Sequence, residues 1–446
     1  KKEAFDLARV VLTLLSIILA VLTLLGILLS PWIVRIQAFG FGGTGVKFEL
    51  TVLLTRIMFP YIFFISIVAL FMGILNSLRR FAAPAAAPIL LNMAIIGAAY
   101  LISPHLTSPV VGIAIGVLIG GILQVALQIP WALREGLSLL PKWDPGHPAL
   151  QRIGRLMLPA IFGSAVYQVN QFVGTLLASF LEEGSVSWLY YADRLVQFPL
   201  GIFAIAISTA ALPSLAADAA RKDSLRFEQT LTHALCLVFF ITLPSTAGLL
   251  VLGQPLIVLL FQRGAFDAHA AAMTAVALFY YTTGLCAFSG IRVMVSAFYA
   301  IQDTKTPVKV AVIALAVNAG ASLLLMGPLS HGGLALALSI SSSLQFGLLL
   351  FIIKKNGSLI NLKSVVISSV KSVLASGIMA LGVYLCSSRW LIVAPGQGGY
   401  AMAARLSLLI LIGLILYFGT AHVLGCPELA SLKGILAQKA RRRVVR

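Results

Sequence analysis

Three arginines, Arg56, Arg194 and Arg292, fall inside long apolar stretches of this sequence, where a charged guanidinium needs compensation. At the centre of a membrane-spanning helix an arginine costs about 2.5–3.5 kcal/mol on insertion scales, so such residues normally face a water-filled cavity or a partner. Partners are scarce. The chain holds 14 Asp and Glu against 32 Lys and Arg, and of these acids only Asp193 falls well inside an apolar stretch. Cations in a polar chamber within a bilayer point to an anionic cargo. Arginine suits phosphates and carboxylates, because its planar fork donates paired charge-assisted hydrogen bonds and stays protonated.

The neighbours of each arginine refine this reading. Arg194 lies in a YADR sequence roughly two turns into its segment, about 10 Å from the outer end at 1.5 Å per residue. A backbone carbonyl or lipid headgroup near that interface is its alternative partner. Gln197 shares its helical face. Asp193 points about 100° away from Arg194, which leaves it to meet Arg56, Arg292 or an interhelical donor. Arg56 precedes Phe59 and Pro60, where proline loosens the helix. For Arg292, two turns from the cytoplasmic end of its segment, snorkelling and ligand binding both stay open. Gln168, Asn170 and Gln171 either line a cavity or join helices. The candidate binding set is Arg194, Arg56, Arg292, Asp193, Gln197, Gln168 and Gln171.

These residues must be carried by membrane helices. The chain is 60% hydrophobic and 10% charged, with a mean hydropathy of +1.01, a composition that excludes an ordinary soluble domain. Stretches of about 20 apolar residues mark spans at 10–34, 50–76, 85–102, 110–133, 150–180 and 187–215. Six more follow at 231–252, 271–299, 308–326, 334–353, 365–386 and 401–424. The expectation is an all-α polytopic bundle of about twelve spans. The first is too long for a signal peptide and lacks a small-residue cleavage pattern. Cys236, Cys286, Cys386 and Cys426 show neither redox nor zinc spacing and read as small core residues.

Alternate ends of these spans differ sharply in charge. Of the 32 Lys and Arg, the outer side takes only Arg35, Lys47, Arg263, Arg389 and Arg405; apart from the three intramembrane arginines, all the rest gather on the other side. The positive-inside rule makes that side, and with it both ends of this chain, cytoplasmic. The net charge of +18 therefore reflects loops facing anionic lipid rather than a nucleic-acid partner.

Two cytoplasmic elbows echo one another: 76–84 (NSLRRFAAP) and 299–307 (YAIQDTKTP) each close a span, cross a short polar turn and restart at proline. Proline suits the first turn of a helix, where its missing N–H costs little. The echo suggests two related halves, although any cytoplasmic connection favours such residues. Residues 254–266, with Arg263 and Gly264, read as an interfacial helix and turn on the outer side. Gly163, Gly174, Pro199, Gly201 and Pro244 serve either bending or close packing.

Enzymatic chemistry finds little footing. The sequence has no P-loop, no HExxH zinc pair and no GxSxG elbow, and Glu182 with Glu183 reads as loop solvation. Neither a cofactor nor a metal is expected.

Several segments resemble the MurJ (MviN) family of lipid II flippases within the multidrug, oligosaccharidyl-lipid and polysaccharide exporter superfamily. They are 184–199 (GSVSWLYYADRLVQFP) with 211–215 (ALPSL), 260–266 (LFQRGAF), 298–310 (FYAIQDTKTPVKV), and 56–65 (RIMFPYIFFI) with 73–81 (GILNSLRRF). The resemblance covers essentially the whole chain. It implies two six-helix lobes around a central cavity, followed by two helices forming a groove for a lipid tail. The family pattern has fourteen spans, and the first span here looks like its third. The expected division is a four-span first lobe at 1–140, a six-span second lobe at 141–357, and two further spans with a basic tail at 358–446.

By this resemblance the cargo is lipid II, an undecaprenyl diphosphate bearing a disaccharide and peptide, moved between leaflets of the bacterial inner membrane by alternating access. The alternative is a flippase for another polyprenyl-diphosphate glycan, with a membrane enzyme acting on such lipids further behind. Expected partners are the glycolipid, membrane lipids and cell-wall synthesis proteins. Gln197 departs from relatives that carry an acid there, which removes one ion-pair or proton partner.

Overall fold

A computed structural model describes all residues except 1, 43, 356–358, 391–398 and 431–446, and the backbone alone at 2, 156, 158–160, 162–164, 389 and 390. The basic tail residues Lys433, Lys439, Arg441, Arg442, Arg443 and Arg446 lie outside the described residues, as do Lys1 and the side chains of Lys2 and Arg389.

Regular structure among the described residues is entirely helical, as a chain must be when its solvent cannot satisfy backbone N–H and C=O groups. The order is α1 (Lys2–Gln37), α2 (Val46–Met58), α3 (Tyr61–Ser77), α4 (Ala82–Leu101), α5 (Pro109–Arg134), α6 (Pro148–Ser179) and α7 (Ser185–Pro199). There follow α8 (Ile205–Ala220), α9 (Ser224–Phe261), α10 (Ala268–Thr283), α11 (Leu285–Ala300), α12 (Lys305–Lys355), α13 (Leu362–Trp390) and α14 (Gly399–Val423). Nine helical stretches among the described residues are long and apolar enough to cross a bilayer, or ten if α10 and α11, bent by 45°, form one span. α12 is 51 residues long, about 77 Å at 1.5 Å per residue, more than twice a hydrocarbon core of about 30 Å. It turns at Ser330 (φ 51°, ψ −135°), so its arms match the expected spans at 308–326 and 334–353. With these arms and α6, each of the twelve expected segments falls on one helix or, at 50–76, 187–215 and 271–299, on two consecutive ones.

One local expectation changes. Residues 254–261 are not a separate interfacial helix but the last turns of α9, a helix that runs 38 residues through Pro244 and Pro255. At about 57 Å it outruns the hydrocarbon, and only 262–267 form the turn that follows.

The chain forms two compact units, Lys1–Ala165 and Val166–Arg446. In the first, α5 presents Gly116 and Gly120 to α4 and Gly112 to Ser103 in the turn just beyond it. A Cβ at Gly116 would lie 2.6 Å from Ala98 Cβ and 3.1 Å from Ala94 O, so the approach requires glycine. Buried Gln124 donates to Ala87 O at 3.1 Å and ties the same pair. Leu19, Ile67, Phe71, Ala132 and Leu137 form the apolar centre, and an Arg80–Glu135 ion pair at 2.6 Å joins the ends of α3 and α5.

In the second unit, one large core gathers Leu231, Leu235 and Val238 of α9 with Leu278, Met294, Phe298 and Leu334. A second core packs α13 and α14 on α9 through Phe240, Leu252, Met379, Val383, Leu409 and Tyr417. Tyr417 Oη donates to Phe240 O at 2.5 Å across it. Outward faces stay apolar in both units: Leu28 is 63% exposed, Leu381 59% and Ile415 63%. Such belts face lipid rather than water.

Candidate functional site

The YADR segment sits in α7, whose start depends on Gly184. This residue adopts φ +104°, its carbonyl accepts from Trp188 N at 2.8 Å, and a Cβ there would lie 2.6 Å from the Trp188 ring. From that turn α7 buries Trp188, Ala192 and Val196. The 3.6-residue period places Tyr190, Arg194 and Gln197 together on another face. Tyr190 is 55% exposed; Arg194 is exposed and its guanidinium carbon stands 4.5 Å from the Tyr190 ring centroid. Gln197 Nε2 donates to Asp193 Oδ1 at 3.5 Å, so the bond given to Asp193 lies within its own helix. Beyond Pro199, which brings no N–H, residues Leu200–Ala204 form a π-helical turn before α8, a feature that often accompanies functional segments.

Arg292 is exposed on α11 beside buried Val293 and Met294, eight residues before the helix ends at Ala300. Its carbonyl accepts from Ser296 Oγ at 3.1 Å. Arg56 occupies the last turn of α2, just ahead of the break at Phe59 and Pro60. Its Nε donates at 3.0 Å to Ser30 Oγ on α1, which in turn donates to Ile27 O at 2.9 Å. Among the described residues none of the three arginines forms an ion pair with a carboxylate.

On α6, Gln168 and Gln171 are exposed, and Gln171 Nε2 donates to Tyr167 Oη at 3.4 Å. Asn170 instead accepts from Asn318 Nδ2 at 2.8 Å, joining α6 to α12. The structure thus brings Asp193, Arg194 and Gln197 together, and puts Arg292, Arg56 and the glutamines on other helices. Sequence reasoning missed Tyr190, Ser30 and Asn318. An aromatic four residues before an arginine was a readable signal for Tyr190; Ser30 and Asn318 depend on tertiary pairing and carried none.

An apolar cavity of about 390 Å³ opens among α9, α12 and α13, lined by Phe239, Phe346, Leu350, Val365, Val370 and Val373 among others. Among the described residues no group of three or more His, Cys, Asp or Glu is placed to hold a metal ion.

Long apolar helices, several carrying exposed cations, define a multi-pass membrane protein. A family profile described as lipid II flippase MurJ matches residues 1–397, and the chain belongs to that family. The probable lipid II flippase MurJ of Vibrio cholerae is 39% identical over 342 residues, covering 75% of this chain and 65% of that relative. The chain therefore spans just under two thirds of that relative's length. A Bdellovibrio bacteriovorus relative of the same description is 34% identical over 434 residues, 97% of this chain and 82% of its own. Among solved structures, a lipid II flippase MurJ in an inward closed conformation matches with a TM-score of 0.78 at 27% identity, covering 95% of this chain and 84% of the other. An inward-facing MATE multidrug transporter shares the fold, with a TM-score of 0.69 at 15% identity over 80% of this chain and 82% of its own.

Proposed function

We propose that this protein moves lipid II from the inner to the outer leaflet of the bacterial cytoplasmic membrane by alternating access, in support of peptidoglycan synthesis. The observation that carries the reading is Arg194: within a family of lipid II flippases, it is a stacked, exposed guanidinium on a membrane helix with no carboxylate ion pair among the described residues. Its free N–H edges suit a diphosphate, and Arg56 and Arg292 replace further hydration of the anionic headgroup during the cycle. Asp193 and Gln197 orient the helix face, and Gln168 and Gln171 offer sugar or peptide hydrogen bonds. The cavity of about 390 Å³ at α13 suits the polyprenyl tail, because its lining is nearly all apolar.

In this reading residues 1–140 and 141–357 make two lobes, 358–446 supply the additional helices and tail, and the lysine- and arginine-rich side faces the cytoplasm. Cell-wall synthesis proteins are its further partners. No ATP is needed: one charge moving through 100 mV is worth about 2.3 kcal/mol, enough to bias a carrier's return.

The test is growth of a bacterium depleted of its own lipid II flippase. Expression of this protein is expected to restore growth, and Arg194→Ala to abolish the rescue at unchanged membrane level. Normal growth with Arg194→Ala removes that residue from the site. Failure of the parent protein despite correct insertion overturns the function, and competition between lipid II and another polyprenyl-diphosphate glycan decides the cargo.

A further inference from the structure

The outer turn after α9 carries an LFQRGAF segment for which the transport reading offers no role. Gly264 adopts φ +58°, and Phe266 N donates to Arg263 O at 3.1 Å, which folds Phe266 back toward Phe261 with ring centroids 6.1 Å apart. Both rings close on one residue of α7: Tyr191 lies 4.9 Å from Phe261 and 5.2 Å from Phe266, the latter edge-to-face at 84°. Tyr191 in turn meets Tyr190 edge-on at 5.8 Å and 80°. Tyr190 is the ring on which Arg194 rests at 4.5 Å.

We propose that Phe261 and Phe266 set the position of the Arg194 guanidinium through Tyr191 and Tyr190, so that four rings act as positioning residues for headgroup binding. The series runs from the core outward. Phe261 and Phe266 pack against the main apolar cluster, Tyr191 is half-buried, and Tyr190 and Arg194 are exposed. Edge-to-face contacts fix ring orientation, and a guanidinium held over a ring face needs no carboxylate to hold it and can still donate to an oxyanion. A long side chain ordered before binding loses less freedom when the ligand arrives. Among the described residues Arg194 is thereby presented without a carboxylate ion pair, which would occupy the edges an anion needs.

This inference rests on Arg194 being a headgroup ligand, so the test carries two readouts on the purified full chain in detergent. The first is affinity for undecaprenyl diphosphate. Tyr190→Leu is expected to weaken it about two- to fivefold, the range of an exposed cation–π contact, while Tyr190→Phe leaves it unchanged. Phe266→Leu, with Phe266→Met as a second variant should leucine fold poorly, is expected to weaken it by a smaller factor. Both losses should vanish in an Arg194→Ala background. The second readout needs no ligand: the rate at which phenylglyoxal modifies Arg194, followed by mass spectrometry, should change in Tyr190→Leu and in the Phe266 variant but not in Tyr190→Phe. Unchanged reactivity, or the same affinity loss with and without Arg194, overturns the brace. Wild-type affinity in Arg194→Ala overturns the headgroup role instead, and leaves the reactivity result to decide the brace alone.

Discussion

Arg79 and Gln302 hold the same left-handed backbone conformation, φ 60° and 61°, at the ends of α3 and α11. The bonds around them also agree. Arg80 N donates to Leu75 O at 2.8 Å, and Asp303 N donates to Phe298 O at 2.9 Å, the six-to-one closure of a Schellman motif. The echo between 76–84 and 299–307 is therefore an echo of backbone more than of side chains, which explains why it was faint in the sequence.

A left-handed position penalises side chains in proportion to their bulk at Cβ. L-residues lose roughly 1–2 kcal/mol there and glycine does not. Gln302→Gly is expected to raise the stability of the detergent-solubilised protein by up to about 1–2 kcal/mol, and Gln302→Val, branched at Cβ, to lower it. Thermal unfolding measures both, and an unchanged midpoint for the valine variant would contradict the geometry.

Acid should weaken the same elbow. Asp303 caps α12 by accepting from Lys305 N at 3.1 Å and Thr306 N at 3.0 Å. Partial burial pushes its carboxyl upward, but the bonds from Thr306 and Lys305, with Lys309 nearby, outweigh that and hold it below the ordinary carboxylate value. A depressed folded value means the stabilisation is present above the ordinary value and is lost as pH falls through the folded one. Asp303→Ala is expected to cost about 1 kcal/mol at neutral pH and progressively less toward strong acid. Unfolding curves of both proteins across pH provide the check, and a constant difference would remove the charged cap.

The α4–α5 contact predicts an asymmetry between glycines. Gly116→Ala drives a Cβ against Ala98 and the Ala94 carbonyl and should destabilise by about 1–3 kcal/mol. Gly97→Ala on α4 meets no heavy atom within 4 Å and should be neutral or stabilising, since alanine favours helix by about 1 kcal/mol. Equal midpoints for the two variants would refute the close approach.

Hydropathy made the helices legible because each apolar run is long, and the lone charges Arg56, Arg194 and Arg292 stood out against it. What lay beyond reach was geometry set by bond closure or by partners distant in sequence. Residues 254–266 read as an interfacial helix and turn, yet α9 continues through Pro255 to Phe261. Asp193 looked destined for another helix, yet the bond it receives comes from Gln197 one turn on. Tyr190, whose ring lies beneath Arg194, was legible in principle from its four-residue spacing to that arginine.

α9 belongs to two interiors at once. Leu231, Leu235, Val238 and Phe239 serve one cluster, Phe240 and Leu252 the other, and Phe239 also lines the apolar cavity beside α13. Densely packed side chains do not deform continuously. Axial rotation of this helix must consequently reseat neighbours on both flanks, so occupancy of the greasy pocket and the setting of the larger bundle are mechanically geared through a single rod.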